Sequence, residues 1–404
     1  PPPDSPGGFI VCYQFNTADL FFALPELFMV ADIALILLLD LFVSERFQNL
    51  TYYFTQSTLA ITGYLAFNLI GESAVIFDGT FVLDTIGSYF KVFMMVFSIV
   101  ALVYSRHYLR AHNLLKGEYF ILSLLSVLGM MVMVSAHSML TIYLGLEIMS
   151  LSLYTLIAIA RDRAVAVEAA LKYFVLGAIA SGLLLYGMSM IYGITGSLDI
   201  GQIAAFATSA NLNSEQVLIL NFGLVFLVIG IAFKFGAVPF HMWVPDVYQG
   251  APTSVTMFLS TVPKIAATAM LVRLLIDGLG GLQAYWADLF MILAILSIGL
   301  GSLVALMQTN IKRLLAYSTI SHIGFILLGF ITGVVEGYGA AVFYVLAYVL
   351  MSLTAFGTII VLNKQGFEAD QFVNFSGLSK HLPGFALIML FVMLQMAGVP
   401  PFIG

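Results

Sequence analysis

Eleven stretches of about twenty mostly apolar residues follow one another along this chain, enough in each to cross a bilayer as a helix. They lie near 19–43, 51–70, 81–104, 119–136, 139–160, 168–192, 217–243, 253–276, 285–307, 314–332 and 338–362. A twelfth begins near 385 and stops with the chain inside an apolar run, which reads as a truncation. In lipid every backbone polar group must be satisfied internally, so such stretches fold as helices. Strand-length alternation is absent from the sequence, which argues against a membrane barrel. The expected class is an all-α integral membrane protein. Residues 1–18, with Pro1-Pro2-Pro3 and Gly7-Gly8, read as a leader or fragment edge and are set aside.

Composition removes the remaining classes. Hydrophobic residues make up 61% of the chain and charged residues 9%, against about 25% charged in soluble proteins. A soluble domain, a disordered chain or a nucleic-acid binder needs more charge than this. The single cysteine, Cys12, excludes a disulfide framework, a structural zinc site and an iron–sulfur cluster held by this chain alone. The dinucleotide fingerprint after a strand and the phosphate-binding loop are both missing from the sequence.

Ten of the fifteen Lys and Arg fall in loops, and all follow odd-numbered spans: Arg46; Arg106, Arg110 and Lys116; Arg161 and Arg163; Lys312 and Arg313; Lys364 and Lys380. Loops after even-numbered spans carry none. The positive-inside rule then puts odd loops on the cytoplasmic (or matrix) face and the N-terminus outside.

The other five cations lie within spans, where each costs about 2.5–3.5 kcal/mol at the bilayer centre. Arg273 is near the outer end of span eight, where snorkelling accounts for it. Lys172 lies four residues after Glu168, which suggests a helical ion pair near the interface. Lys91 has Asp84 seven residues before it on the same face, as structural glue or as a functional pair. Lys264 lies deep in span eight after Pro263, which frees the carbonyl of Leu259 and makes a polar, hydratable spot. Lys234 stands in Phe233-Lys234-Phe235-Gly236-Ala237-Val238-Pro239-Phe240, where Gly and Pro suggest a helix break lining a cavity; a helix that simply ends there is the alternative. Glu147 is mid-span with no base within a turn of its own helix, so its partner must come from another helix. His322, mid-span, can relay a proton between its two ring nitrogens or serve as a hydrogen-bonded packing residue. Asp32, Glu26 and Asp40 in span one have no partner assignable from sequence. One acid, several deep lysines and a histidine, in series, suit proton movement.

At this point the residues resemble a known family. The run Lys234-Phe235-Gly236-Ala237-Val238-Pro239-Phe240-His241-Met242-Trp243-Val244-Pro245-Asp246-Val247-Tyr248-Gln249-Gly250-Ala251-Pro252-Thr253 is similar to the signature of the antiporter-like subunits of respiratory complex I. Leu144-Gly145-Leu146-Glu147 and the segment from Leu314 to Gly324 match two further family stretches. From Asp246 to Thr253, from Tyr344 to Gly357 and over Phe375-Ser376-Gly377-Leu378 the chain looks like the N-type subunits, the homologues of mitochondrial subunit two.

The resemblance implies about 14 transmembrane helices, truncated here within helix 12, containing two inverted five-helix repeats. Residues 19–118 would hold helices 1–3, residues 119–276 the first repeat (helices 4–8) and residues 285–404 the second. A faint echo is readable between Gly236-Ala237-Val238-Pro239-Phe240 and Gly398-Val399-Pro400-Pro401-Phe402. The resemblance further implies that Glu147 and Lys234 form an ion pair, with Lys264 as central relay, His322 continuing the route and Lys172 as an accessory site. It implies a proton-translocating subunit of NADH:quinone oxidoreductase in a bacterial inner membrane, multi-pass, with a periplasmic N-terminus. NADH, flavin, iron–sulfur clusters and quinone would belong to partner subunits, with M-like and K-like neighbours and a lateral helix from an L-like one. A multisubunit cation/proton antiporter, a non-pumping scaffold and a ferredoxin-fed photosynthetic complex are the alternatives.

Overall fold

The computed structural model describes residues 17–42, 48–209, 212–363 and 367–400. The chain opens with α1 (Thr17–Phe22) and α2 (Leu24–Asp40), parted at Ala23 with Pro25 in the first turn of α2, where a missing N–H costs nothing. After α3 (Gln48–Asn68) comes a short antiparallel hairpin, β1 (Ala74–Ile76) and β2 (Phe81–Leu83), with Ala74 opposite Leu83. The long helices α4 (Thr85–Ala111), α5 (Gly117–Ser135), α6 (Met139–Ile157) and α7 (Ala164–Thr195) follow. Beyond short α8 (Ile200–Ala207) run α9 (Ser214–Phe235), α10 (Trp243–Gly250), α11 (Thr253–Leu259), α12 (Val262–Leu271) and a π-helical turn, Val272–Gly278. Then come α13 (Gln283–Ala305), α14 (Ile311–Ile331), α15 (Val335–Leu362), α16 (Leu378–His381) and α17 (Pro383–Met396).

Among the described residues nine helices are long and apolar enough to cross a membrane, so the chain is a multi-pass membrane protein. The third span begins at Thr85 rather than 81 because the Asp84 carboxylate caps the helix, accepting from Gly87 N at 2.8 Å, while residues 81–83 pair as a strand. The expected seventh span, 217–243, stops at Phe235, and α10 turns away separately. Residues 1–16, Arg46, Lys364 and 401–404 lie outside the described residues, and with them Cys12.

Small residues set the closest helix contacts. A Cβ on Gly145 would fall 2.7 Å from Met133 N, and one on Gly301 would fall 2.7 Å from Ser321 N. The α5–α6 and α13–α14 hairpins therefore close backbone to backbone, the usual device where lipid offers no hydrophobic drive. Helices α11 and α12 are enclosed by the other helices, and the π turn that continues them reaches the surface at Asp277.

Two segments end alike. Gly236 takes the left-handed conformation (φ 82°) and Ala237 N reaches back five residues to Ala232 O at 2.9 Å. Gly398 does the same (φ 66°), with Val399 N on Leu394 O at 3.1 Å. The sequence echo between these segments is thus a shared helix-ending geometry, which glycine permits without strain.

Candidate functional site

The break after α9 leaves terminal carbonyls without helical partners. Lys264, on α12, supplies one: its Nζ donates to Phe235 O at 2.7 Å and to Lys234 O at 3.3 Å. The negative end of α9 thereby faces a cation, and the Trp243 ring lies 5.5 Å below the ammonium. Trp243 is itself fixed by its Nε1 donating to Phe233 O at 3.0 Å. The sequence reading gave Lys264 the carbonyl freed at Leu259; the structure gives it those of α9 instead. Around the kink between α11 and α12, Ser260 and Thr261 hydroxyls donate to Met257 O at 3.1 and 2.7 Å. Lys264 is 1% exposed.

Lys234 is also buried, and its Nζ donates to Ser150 Oγ at 2.8 Å. Ser150 lies three residues after Glu147 on α6, close to one face of the helix. No salt bridge of 4 Å or less joins Glu147 to Lys234 among the described residues; the serine hydroxyl stands in the carboxylate's place. Glu147 is half-buried, with Oε1 covered and lacking a hydrogen-bond partner. The expected direct pair has no ion-pair contact of 4 Å or less here, and Lys234 meets the hydroxyl of Ser150, a residue absent from the expected set.

His322, on α14, is not hydrogen-bonded to Lys264. Its Nδ1 lies 2.8 Å from Tyr344 OH, and its ring lies against Tyr348, whose hydroxyl is 2.8 Å from Thr319 Oγ1. Tyr248, ring to ring with Trp243, is buried and turns its hydroxyl to the Thr319 and Tyr348 pair. Tyr344 and Tyr348 are one turn apart on α15, and tyrosines spaced so in an apolar helix are the sequence signal that was available.

Lys172 stands apart. It is half-exposed on α7, paired with Glu168 at 2.9 Å, as its spacing predicts, and with Asp246 at 2.8 Å. Arg313 Nη1 reaches the other Asp246 oxygen at 3.0 Å. Burial opposes ionisation of Asp246, but hydrogen bonds from Lys172 and Arg313 outweigh it and hold the carboxyl below its usual range.

Three assignments from sequence are overturned. Arg273 does not snorkel: it is 6% exposed and clasps Asp84 with Nη1 and Nη2 at 2.7 and 2.9 Å, with further bonds to Asp277 and Val134 O. Asp84 is thereby taken from Lys91, which pairs with Glu26 at 2.5 Å. Lys312, counted as a loop charge, is fully enclosed on the first turn of α14, with Nζ on Ala251 O at 2.7 Å. Arg106 and Arg110 belong to the last turns of α4. Asp32 and Asp40 are met by Thr58 and Thr51 at 2.6 and 2.9 Å.

A second charged centre was not foreseen. Glu368, between α15 and α16, receives Arg163 Nη1 and Tyr108 OH, each at 2.5 Å, and lies 3.7 Å from Lys312 Nζ. Burial works against its charge, but Lys312, Arg163 and the Tyr108 hydroxyl prevail and hold the carboxyl down at about 2. Tyr108 OH also accepts from Thr253 N at 3.1 Å, so the cluster grips the α10–α11 junction that Lys312 holds at Ala251. Among the described residues no group of three or more His, Cys, Asp or Glu is placed to hold a metal ion.

A buried series of ionisable groups set against broken helices defines an antiporter-like membrane subunit, and comparison with known proteins agrees. The family model described as NADH:quinone oxidoreductase/Mrp antiporter, TM matches residues 136–404. The NADH-quinone oxidoreductase subunit N of Ruthia magnifica subsp. Calyptogena magnifica is 70% identical over 392 residues, covering 97% of this chain and 81% of the relative. The chain belongs to the NADH-quinone oxidoreductase subunit N family. A chain of respiratory complex I from Thermus thermophilus, solved with bound aureothin, superposes with TM-score 0.78 at 30% identity, covering 93% of this chain and 79% of that one. A chain of the Mrp complex from Dietzia sp. DQ12-45-1b shares the fold with TM-score 0.80 at 22% identity, covering 95% and 72%.

Proposed function

We propose that this chain is the proton-translocating membrane subunit of an NADH:quinone oxidoreductase, moving protons along Glu147, Lys234, Lys264 and His322. One observation carries the reading: the buried Lys264 ammonium donates to the backbone carbonyl of Lys234, so one deep lysine is anchored on the residue that bears the other. The Ser150 hydroxyl links Lys234 to the helix turn bearing Glu147. A carboxylate drawn towards Lys234 favours the ammonium, and one drawn away favours the neutral amine, so charge movement drives proton uptake and release. Tyr248, Tyr348 and Tyr344 supply hydroxyls between Lys264 and His322. Lys172 with Asp246 and Arg313 is an accessory site at the rim.

The repeats run over 119–276 and 285–404, supported by the matching glycine hairpins and the matching ends at Gly236 and Gly398. The setting is a bacterial inner membrane, with the N-terminus periplasmic by the charge bias. Arg313 and Lys116 keep that bias although Lys312 is enclosed. NADH, flavin, iron–sulfur clusters and quinone belong to partner subunits, and the neighbours are M-like, K-like and L-like.

The test is Glu147→Gln and Lys234→Ala in membranes carrying the assembled complex, with NADH:quinone turnover and proton pumping recorded together. Pumping falls strongly if the buried groups carry protons. Turnover and pumping both near native would make these charges packing devices.

A further inference from the structure

The relay as described begins inside the membrane, at Glu147. Where protons join it from the charged face is a separate question. On that face a polar cavity of about 380 Å³ opens between the α4–α5 and α6–α7 loops, lined by His112, Lys116, Arg161, Asp162 and Arg163. His112 is half-buried at its inner wall. Its ring lies on that of Tyr108, centroids 4.3 Å apart, and its Nε2 is covered without a hydrogen-bond partner. Behind it stands the Glu368 carboxylate, bonded to Tyr108 OH and Arg163.

From Tyr108 a file of buried hydroxyls leads inward. Ser105 is one turn earlier on α4, and its Oγ receives Tyr119 OH at 3.4 Å. Tyr119, Ser123 and Ser126 share one face of α5 at positions i, i+4 and i+7, all buried. Ser254, on α11, lies against Tyr119. Buried serines in helices usually donate to the carbonyl four residues back, and Ser105 and Ser123 do so at 2.7 and 2.8 Å. Ser126 does not, and its hydroxyl lacks a protein partner, while Ser254 meets the Tyr119 hydroxyl. An unmet buried polar atom is destabilising, which a bound water relieves.

The file ends at the right depth. α5 and α6 run antiparallel, with Gly129 seated on the backbone of Gly145 and Met149. Ser126, three residues earlier on α5, is therefore level with the turn of α6 that carries Glu147 and Ser150. On that turn Glu147 Oε1 likewise lacks a partner.

We infer that the cavity at His112 is a proton-uptake mouth, and that Tyr108, Tyr119, Ser254 and Ser126 with water between them conduct protons from it to Glu147. His112 takes a proton from cavity water on one ring nitrogen and releases one from the other, leaving the ring neutral. No group is oxidised or reduced. Glu368 stays ionised and holds Tyr108 in place, with Arg163 and Lys312 balancing its charge. The inference rests on the relay reading proposed above.

The experiment uses the complete complex in proteoliposomes, with NADH:quinone turnover and proton pumping read for His112→Ala, Ser126→Ala and Glu147→Gln. Pumping is expected to fall several-fold in His112→Ala and to return on adding imidazole, while Ser126→Ala falls without rescue. Loss in His112→Ala that imidazole does not restore would overturn the uptake role, since a packing role alone would show this. Native pumping in His112→Ala and Ser126→Ala beside a silent Glu147→Gln would place uptake elsewhere and leave the relay standing. Native pumping in Glu147→Gln would remove the relay, and the mouth with it.

Discussion

Lys264 rests its ammonium on the backbone carbonyl of Phe235, 2.7 Å away, at the broken end of the helix that carries Lys234. A lysine on one span thus completes the terminus of another. The two breaks, after Phe235 and at Thr261, exist together: the first exposes the carbonyls, and the second lets α12 present its lysine to them.

Ser150, three residues after Glu147 on α6, accepts from the Lys234 ammonium, so its loss frees that amine. Ser150→Ala deletes a hydrogen bond to a charged group, worth about 1.5–3 kcal/mol. The expected result is normal assembly and a several-fold fall in proton pumping, read from vesicles by a pH-sensitive dye. Unchanged pumping would show that Glu147 reaches Lys234 without the hydroxyl.

The Asp84–Arg273 clasp is structural. Removing Asp84 leaves buried Arg273 with Asp277 as its remaining carboxylate, so the cost falls below the about 3–5 kcal/mol of a wholly unpaired buried charge. Asp84→Ala is expected to lower the thermal midpoint of the solubilised complex. Asp84→Leu with Arg273→Met together, which leaves neither charge, should recover much of the loss. An equal loss in single and double variants would contradict this.

Glu368 predicts an acid limit. Its folded value of about 2 lies below the ordinary 4.5. A depressed carboxyl contributes stability that is full above the ordinary value and is lost as pH falls towards the folded one. Resistance to denaturant should therefore decline between about pH 4.5 and 2, and Glu368→Gln should flatten that part of the profile. A variant with the native acid profile would show that other carboxyls set the limit.

Tyr344→Phe removes the hydroxyl 2.8 Å from His322 Nδ1. A neutral hydrogen bond of about 0.5–1.5 kcal/mol corresponds to about two- to tenfold in an equilibrium. The nitrogen-15 shifts of His322 should report a changed tautomer balance, and pumping should slow within that range. Unaltered shifts would mean that the tyrosine does not orient the ring.

Much of the site was legible because it is local. Gly236 and Pro239 announced the break, and an unpaired lysine or glutamate deep in an apolar run announced itself by cost alone. Lys172 and Glu168 were readable as neighbours on one helix. What sequence periodicity cannot show is which helix stands opposite. Asp84 and Lys91 share a face, yet Asp84 bonds a residue 189 positions away. Lys312 looked like a loop charge because it borders an apolar run, whereas the fold closes over it and supplies Ala251 O and Glu368. Ser150 and Tyr248 were silent because a hydroxyl in an apolar segment costs little, whereas the one-turn spacing of Tyr344 and Tyr348 was there to be read.

The central claim is that Lys264 passes protons and does not merely cap α9. Lys264→Met keeps the length of the chain and removes the ammonium. Proton translocation per NADH oxidised, measured in proteoliposomes after assembly is confirmed, tests it most directly. The account predicts a fall of about tenfold or more, the scale of a lost acid–base group. Translocation near native in assembled complex would contradict it and leave Lys264 a helix cap.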